Sequence, residues 1–195
     1  MLAPWLFSLL PGEAWRTQYW VRWILDTYYQ LVPDGVPGND DFGELNAWAV
    51  WGCLGLYPLT ATRDARYILS SPCFANVTLQ LPAREARFAG YAHAPLTTED
   101  SSAFVPLLTI VAHNFSVANI YVASASLNGV PCASPMVTHA ELFPPLPTPR
   151  PGEDAAAHAR RLAAGAGESL LEFTLTDVPT VWGTNGQPAE VPNWG

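Results

Sequence analysis

Charged residues make up only 13% of the 195 positions, yet two acids stand side by side in Gly38-Asn39-Asp40-Asp41-Phe42-Gly43. A turn-forming run, Pro33-Asp34-Gly35-Val36-Pro37, precedes them, and the apolar segment that starts Glu44-Leu45-Asn46-Ala47-Trp48 follows. The carboxylates are therefore expected at a helix entrance. Such acids suit general-base chemistry, because desolvation and mutual repulsion can split the pKa values of neighbours and leave one poised to take a proton from water. They equally suit a structural role, since Asn and Asp side chains accept from the orphan N–H groups of a first helical turn. Spacing alone leaves both readings open.

No other constellation competes with this one. His93, His113, His139 and His158 lie far along the chain from the acids, and no Cys/His/Asp nucleophilic arrangement is visible, so each histidine reads as a surface or satisfied residue. Cys53, Cys73 and Cys132 are widely separated and lack CxxC spacing, which indicates neither a zinc site nor a disulfide framework. One of the three must be unpaired within the chain.

The elements that position the acids follow from periodicity. Leu2, Trp5, Leu6, Leu9 and Leu10 recur at helical spacing until Pro11-Gly12 interrupts. A second helix is expected from Glu13 to about Leu31 with the stripe Trp20, Trp23, Ile24, Thr27 and Leu31, and a third from about Asp41 to Tyr57. The run from Ala47 to Leu56 has no polar side, which predicts a helix surrounded by protein. Gly52 and Gly55 each cost it about 1 kcal/mol of helix propensity unless close packing compensates.

After Pro58 the period falls from 3.6 to 2. Val77, Leu79 and Leu81 alternate with polar residues, as do Leu171, Phe173 and Leu175. Phe104 to Ala112 and Asn119 to Leu127 read as further strands, and Asn128-Gly129 is a strong hairpin signal. An antiparallel unit is expected. The Pro-rich and then Ala/Gly-rich stretch from about 143 to 167 reads as an exposed, partly disordered loop.

Composition bounds the partners. A chain 49% hydrophobic and 12% aromatic can build a core. A net charge of -8, with nine Arg and no Lys, argues against nucleic acid or an anionic membrane surface, which bind clustered positive charge. The apolar start, Met1 to Leu10, is short of the roughly 20 residues a membrane span needs and lacks the marks of a signal peptide. The chain therefore reads as beginning inside a fold.

Several of these runs together resemble a known family. Asp34-Gly35-Val36-Pro37-Gly38-Asn39-Asp40-Asp41-Phe42-Gly43, then Ala47-Trp48, then Leu54-Gly55-Leu56-Tyr57-Pro58, are similar to the C-terminal region of glycoside hydrolase family 92, the calcium-dependent exo-α-mannosidases. Pro4-Trp5-Leu6-Phe7, Trp15-Arg16-Thr17-Gln18, Tyr67-Ile68-Leu69-Ser70-Ser71-Pro72, Asn119-Ile120-Tyr121-Val122, Leu127-Asn128-Gly129, Thr138-His139 and Trp194-Gly195 fit that family in the same order. The resemblance implies an α+β chain: residues 1–58 as the last helices of an (α/α)6 toroid, followed over 59–195 by an antiparallel β-rich C-terminal unit carrying the 143–167 insert.

The resemblance also implies an inverting glycosidase, which sets two carboxyl groups about 6.5–9.5 Å apart on opposite faces of the sugar. Asp40 and Asp41 are adjacent and cannot be both. Asp41 matches the family's general base, and Asp40 either supports water or sugar hydroxyls or only caps the helix. Asn39, the candidate substrate-binding residue, stands where some members carry an assisting Asp, a departure, as are Phe42 and Glu44. The family's general acid, a Glu, and its calcium ligands lie upstream, before Met1, and Glu13, Glu44 and Glu141 do not match the acid's place. No metal ligand is thus expected here, and the missing N-terminal part of the same enzyme becomes the implied partner beside a mannose-containing glycan, an N-glycan or a mannan. The fragment is expected to be inactive alone. The family's setting is secreted or extracellular, whereas a chain that truly began at Met1 would be cytosolic. Two alternatives stand beside this reading: a carbohydrate-binding or structural β unit without catalysis, and another N-glycan-processing hydrolase.

Overall fold

The fold is taken from a computed structural model that describes residues 2–59, 65–82, 104–144, 147–164 and 167–184. The Trp194-Gly195 match and His93 lie outside them. The chain starts with a 3-10 helix, Ala3–Leu9, whose Pro4 suits a first turn and which buries Trp5 and Ser8. Helix α1, Ala14–Tyr28, buries Ala14, Trp15, Thr17, Gln18, Val21 and Leu25. The expected stripe is therefore corrected: Trp20 and Trp23 lie on the exposed side, with Tyr19 and Tyr28, in a chain of edge-to-face ring contacts 5.2–5.5 Å apart. Thr17 and Gln18 take the inner positions because each has a buried partner. The Thr17 hydroxyl accepts from the Ser8 N–H at 3.1 Å, and Gln18 Oε1 accepts from the Val122 N–H at 3.0 Å.

Helix α2 is Glu44–Leu54, shorter at both ends than the expected 41–57. Its start is delayed by left-handed backbone at Asp41, Phe42 and Gly43, and it ends at Gly55 with φ 70°. A Cβ on Gly55 would stand 2.6 Å from the Ser70 carbonyl oxygen and 2.8 Å from Pro72 N, so glycine is needed for the close approach as well as the dihedral. Gly52 lets α2 lie on Val21 and Leu25 of α1, where a Cβ would sit 3.3 and 3.2 Å from their side chains. Only Trp48, Gly52 and Leu54 of α2 are buried. Val50 is exposed, so within this chain the helix is covered on one face rather than all round.

Strand β1, Leu56–Pro58, pairs antiparallel with β2, Arg66–Leu69. A third strand of that sheet comes from far along the chain (Met136–Thr138) and pairs antiparallel with β2. Alternation along β2 divides the core: Ile68 joins Trp5, Val21, Leu25 and Trp48 under the helices, whereas Tyr67 and Leu69 face the cluster of Leu108, Ile110, Leu171 and Phe173.

The larger sheet holds β3 (Asn76–Pro82), β4 (Phe104–His113), β5 (Tyr121–Leu127), β6 (Val130–Pro131) and, with the Met136–Thr138 strand counted as β7, the strand β8 (Ser169–Thr176). Asn128 and Gly129 join β5 to β6 with φ of 52° and 78°, the double positive φ of a two-residue hairpin. Burial alternates along β8 as its sequence predicts. The order β3-β4-β8-β5-β6 departs from a purely antiparallel unit, because β8 runs parallel to β4. A parallel pair needs a crossover, and the chain between β4 and β8 runs through β5, β6 and β7 and returns by the 143–167 stretch.

That stretch holds a helix, α4 (Ala155–Ala163), where a loop was expected, and a short α3 (His139–Leu142) precedes it. The Asp154 carboxylate accepts from the Ala157 N–H at 2.6 Å, and the alanines that read as low complexity are good helix formers once capped. Glu153 clamps Arg161 with 2.9 Å bonds to Nε and Nη2. The α3 cap is a reciprocal box between Thr138 and Glu141.

Candidate active site

The Pro/Gly turn delivers the chain to α2 through a loop whose two acids behave differently. Asp40 Oδ1 accepts from the Asn46 backbone N–H at 2.9 Å, and Oδ2 accepts from the Asn46 side-chain amide at 2.9 Å. Its carbonyl oxygen accepts from the Leu45 N–H at 3.3 Å. Both carboxylate oxygens thus serve the first turn of α2, and these bonds, the Asn46 backbone one foremost, hold the Asp40 carboxyl below the usual carboxylate range. The perturbation expected from desolvation is replaced at Asp40 by one made with hydrogen bonds.

Asp41 is exposed, and its carboxylate makes no hydrogen bond or ion pair among the described residues. Asn39 fixes its backbone instead: Oδ1 accepts from the Asp41 N–H at 3.3 Å. The φ values of 50°, 63° and 93° at Asp41, Phe42 and Gly43 form a left-handed run, and for the two non-glycine residues this costs about 1–3 kcal/mol each. Phe42 stands fully exposed. The arrangement offers a solvent-facing carboxylate on a backbone held by Asn39 and Asp40.

Below the loop lies an aromatic floor. The Tyr29 hydroxyl donates to the Leu45 carbonyl at 3.0 Å, and its ring stacks on Trp48 at 5.9 Å; Trp48 in turn meets Trp5 edge to face at 6.2 Å. Burial, and then the negative charge of Asp40, push the Tyr29 phenol up to about 12. It remains a neutral donor through ordinary pH.

Glu13, Glu141 and the three described histidines have structural partners. Glu13 pairs with Arg16 at 2.6 Å, and Glu141 closes the α3 cap. His113 meets Glu172, His139 packs with Tyr67 and Phe143, and buried His158 joins Glu153 and Arg161. Among the described residues no three Asp, Glu, His or Cys side chains converge to hold a metal ion. Sequence reasoning missed one pairing: Cys53 and Cys73 are neighbours, with the Cys73 N–H donating to the Cys53 carbonyl at 2.8 Å. No spacing rule links two cysteines joined through the tight packing of Gly55 on residues 70–72.

The profile described as the glycosyl hydrolase family 92 catalytic domain matches residues 1–144. No curated protein matches the chain. Among solved structures, a family 92 α-mannosidase of Bacteroides thetaiotaomicron in complex with mannoimidazole matches at 22% identity and TM-score 0.62, over 94% of this chain and 18% of that one. A family 92 inverting mannosidase from the same organism matches at 24% identity and TM-score 0.62, over 97% and 19%. A family 92 glycosyl hydrolase named ccman5 matches at 22% and 0.62, over 96% and 22%. These matches define the class as glycoside hydrolase. The chain belongs to glycoside hydrolase family 92 and spans about a fifth of the length of the solved relatives it matches.

Proposed function

We propose that this chain supplies the water-activating half of an inverting exo-α-mannosidase site, with Asp41 as general base. The observation that carries the reading is the division of labour at the motif: Asp40 has both oxygens engaged by Asn46, while Asp41 presents from a constrained left-handed turn an exposed carboxylate that meets no partner among the described residues. In this reading an Asp41 oxygen takes a proton from the water that attacks the anomeric carbon, as the leaving oxygen departs from the opposite face of the ring. Asn39 and Asp40 position Asp41, and Asn39 is placed to meet the sugar beside it. The substrate is a terminal mannose of an N-glycan or mannan.

The family membership and the exposed apolar sides of α1 and α2 support reading them as helices of the (α/α)6 toroid. The general acid then comes from outside the described residues. In this reading the calcium ligands, like the acid, come from upstream of the motif. A secreted or extracellular setting goes with the substrate.

The test joins this chain to the rest of a family 92 catalytic domain. Asp41→Asn should lower kcat by about 10²–10⁴-fold with an unchanged melting temperature. Lost stability with retained turnover would instead assign the acid to the helix cap. The 195-residue chain alone should show no turnover with or without calcium.

A further inference from the structure

We propose that Cys53 and Cys73 are a redox-active dithiol that closes reversibly to a disulfide, tying the last turn of α2 to the segment between β2 and β3. Three features of the packing bring the pair together. The Cys73 N–H donates to the Cys53 carbonyl at 2.8 Å, which puts the two backbones within the span a disulfide bridges. Both side chains pack against the same apolar cluster of Trp5, Val21, Leu25, Trp48 and Ile68. Gly55 lies against Ser70 and Pro72, and the Ser70 N–H donates to its carbonyl at 2.8 Å, so closure needs no movement of the two segments toward each other.

The surroundings favour one sulfur as the nucleophile. The neighbouring Cys73 thiol and the positive charge of Arg22 lower Cys53 below the ordinary thiol value, against burial and the opposing charge of Asp26. Arg22 is anchored there by its own bond to the Pro72 carbonyl at 2.8 Å. The Cys53 side chain, together with burial, raises Cys73. In this proposal Cys53 attacks first and Cys73 resolves. Both are half-buried, so a small disulfide can reach the pair.

With oxidised glutathione as oxidant, the Cys53 thiolate attacks one glutathione sulfur and expels the other glutathione as thiolate. Cys73 then loses its proton to solvent and attacks the Cys53 sulfur, breaking the mixed disulfide and releasing the second glutathione thiolate. Two protein thiols are oxidised as one glutathione disulfide is reduced to two thiols.

The experiment exposes the folded chain to oxidised glutathione and follows free thiols, intact mass and a non-reducing peptide map. The expected result is loss of two of the three thiols, a mass lower by two hydrogens, and a peptide joining Cys53 to Cys73. Melting temperature should rise by about 5 °C or more, reversibly with dithiothreitol. Cys132→Ser should leave this unchanged, whereas Cys73→Ser should stop at a glutathione adduct on Cys53. Three surviving thiols, a stable adduct on the wild-type chain, or a bond involving Cys132 would each overturn the proposal. The wild-type mass and map decide it even where a variant does not fold. None of these readouts involves turnover, so the outcome is separate from the role of Asp41.

Discussion

Asp40 and Asp41 are chemically the same residue one position apart, and their difference comes from the backbone between Asn39 and Glu44. With both oxygens on Asn46, Asp40 behaves as a cap reaching across the left-handed turn. Its depressed pKa means that the stability it contributes is present above the unfolded carboxylate value of about 3.9 and is lost as pH falls through the folded value. Asp40→Ala should accordingly lower the melting temperature at neutral pH and speed amide exchange at Leu45 and Asn46, with little change at β8. Unchanged exchange at those two amides would contradict the capping role. The sequence made the motif legible as both cap and base, because Asn and Asp serve both purposes with the same oxygens. That it is the Asp40 carboxylate that meets α2 was hidden from spacing, since it depends on three positive φ angles that only Gly43 announces.

At the scale of elements, α4 illustrates a different failure. Five prolines between 144 and 151 and a run of alanines made the stretch read as loop, yet its closing half has a strong helix propensity and an Asp cap. The Glu153–Arg161 clamp, with an added bond from the Arg150 N–H at 2.8 Å, holds Glu153 down to about 2. The sign follows directly: against an unfolded glutamate value near 4.3, the clamp stabilises α4 above that pH and its contribution disappears as pH falls toward the folded value. Glu153→Gln should be less stable than the parent in urea at about pH 5, with the gap closing by about pH 2. A gap that persists at the lower pH would rule out the ionised clamp as its source. By contrast, β3, β5, β8 and the Asn128-Gly129 hairpin were legible, because alternation and turn chemistry are local signals. The β4–β8 parallel pairing was not, because no local pattern records which strands become neighbours.

For the whole molecule, the helical side is the vulnerable one. Tyr19, Trp20, Trp23 and Tyr28 form a continuous exposed aromatic row on α1, with Leu31 and Val32 beyond it. A contiguous apolar patch of this kind favours association in water. The isolated chain should bind a hydrophobic dye and self-associate with rising concentration, and Trp20→Gln with Trp23→Gln should reduce both while leaving melting unchanged. A melting loss from the double change would place those rings in the core instead. The helical stripe predicted from sequence named the right residues on the wrong side, since hydrophobic periodicity identifies an apolar face without saying what covers it.

The position of β8 has a consequence for how the protein is made. It pairs with β4 on one side and β5 on the other, yet it is the last of the five strands in sequence. During synthesis β4 and β5 emerge with a vacant slot between them, each presenting unpaired backbone edges until residues 169–176 leave the ribosome. The sheet therefore closes from its centre last, and a chain cut short within the 143–167 stretch would lack the strand that joins β3–β4 to β5–β6.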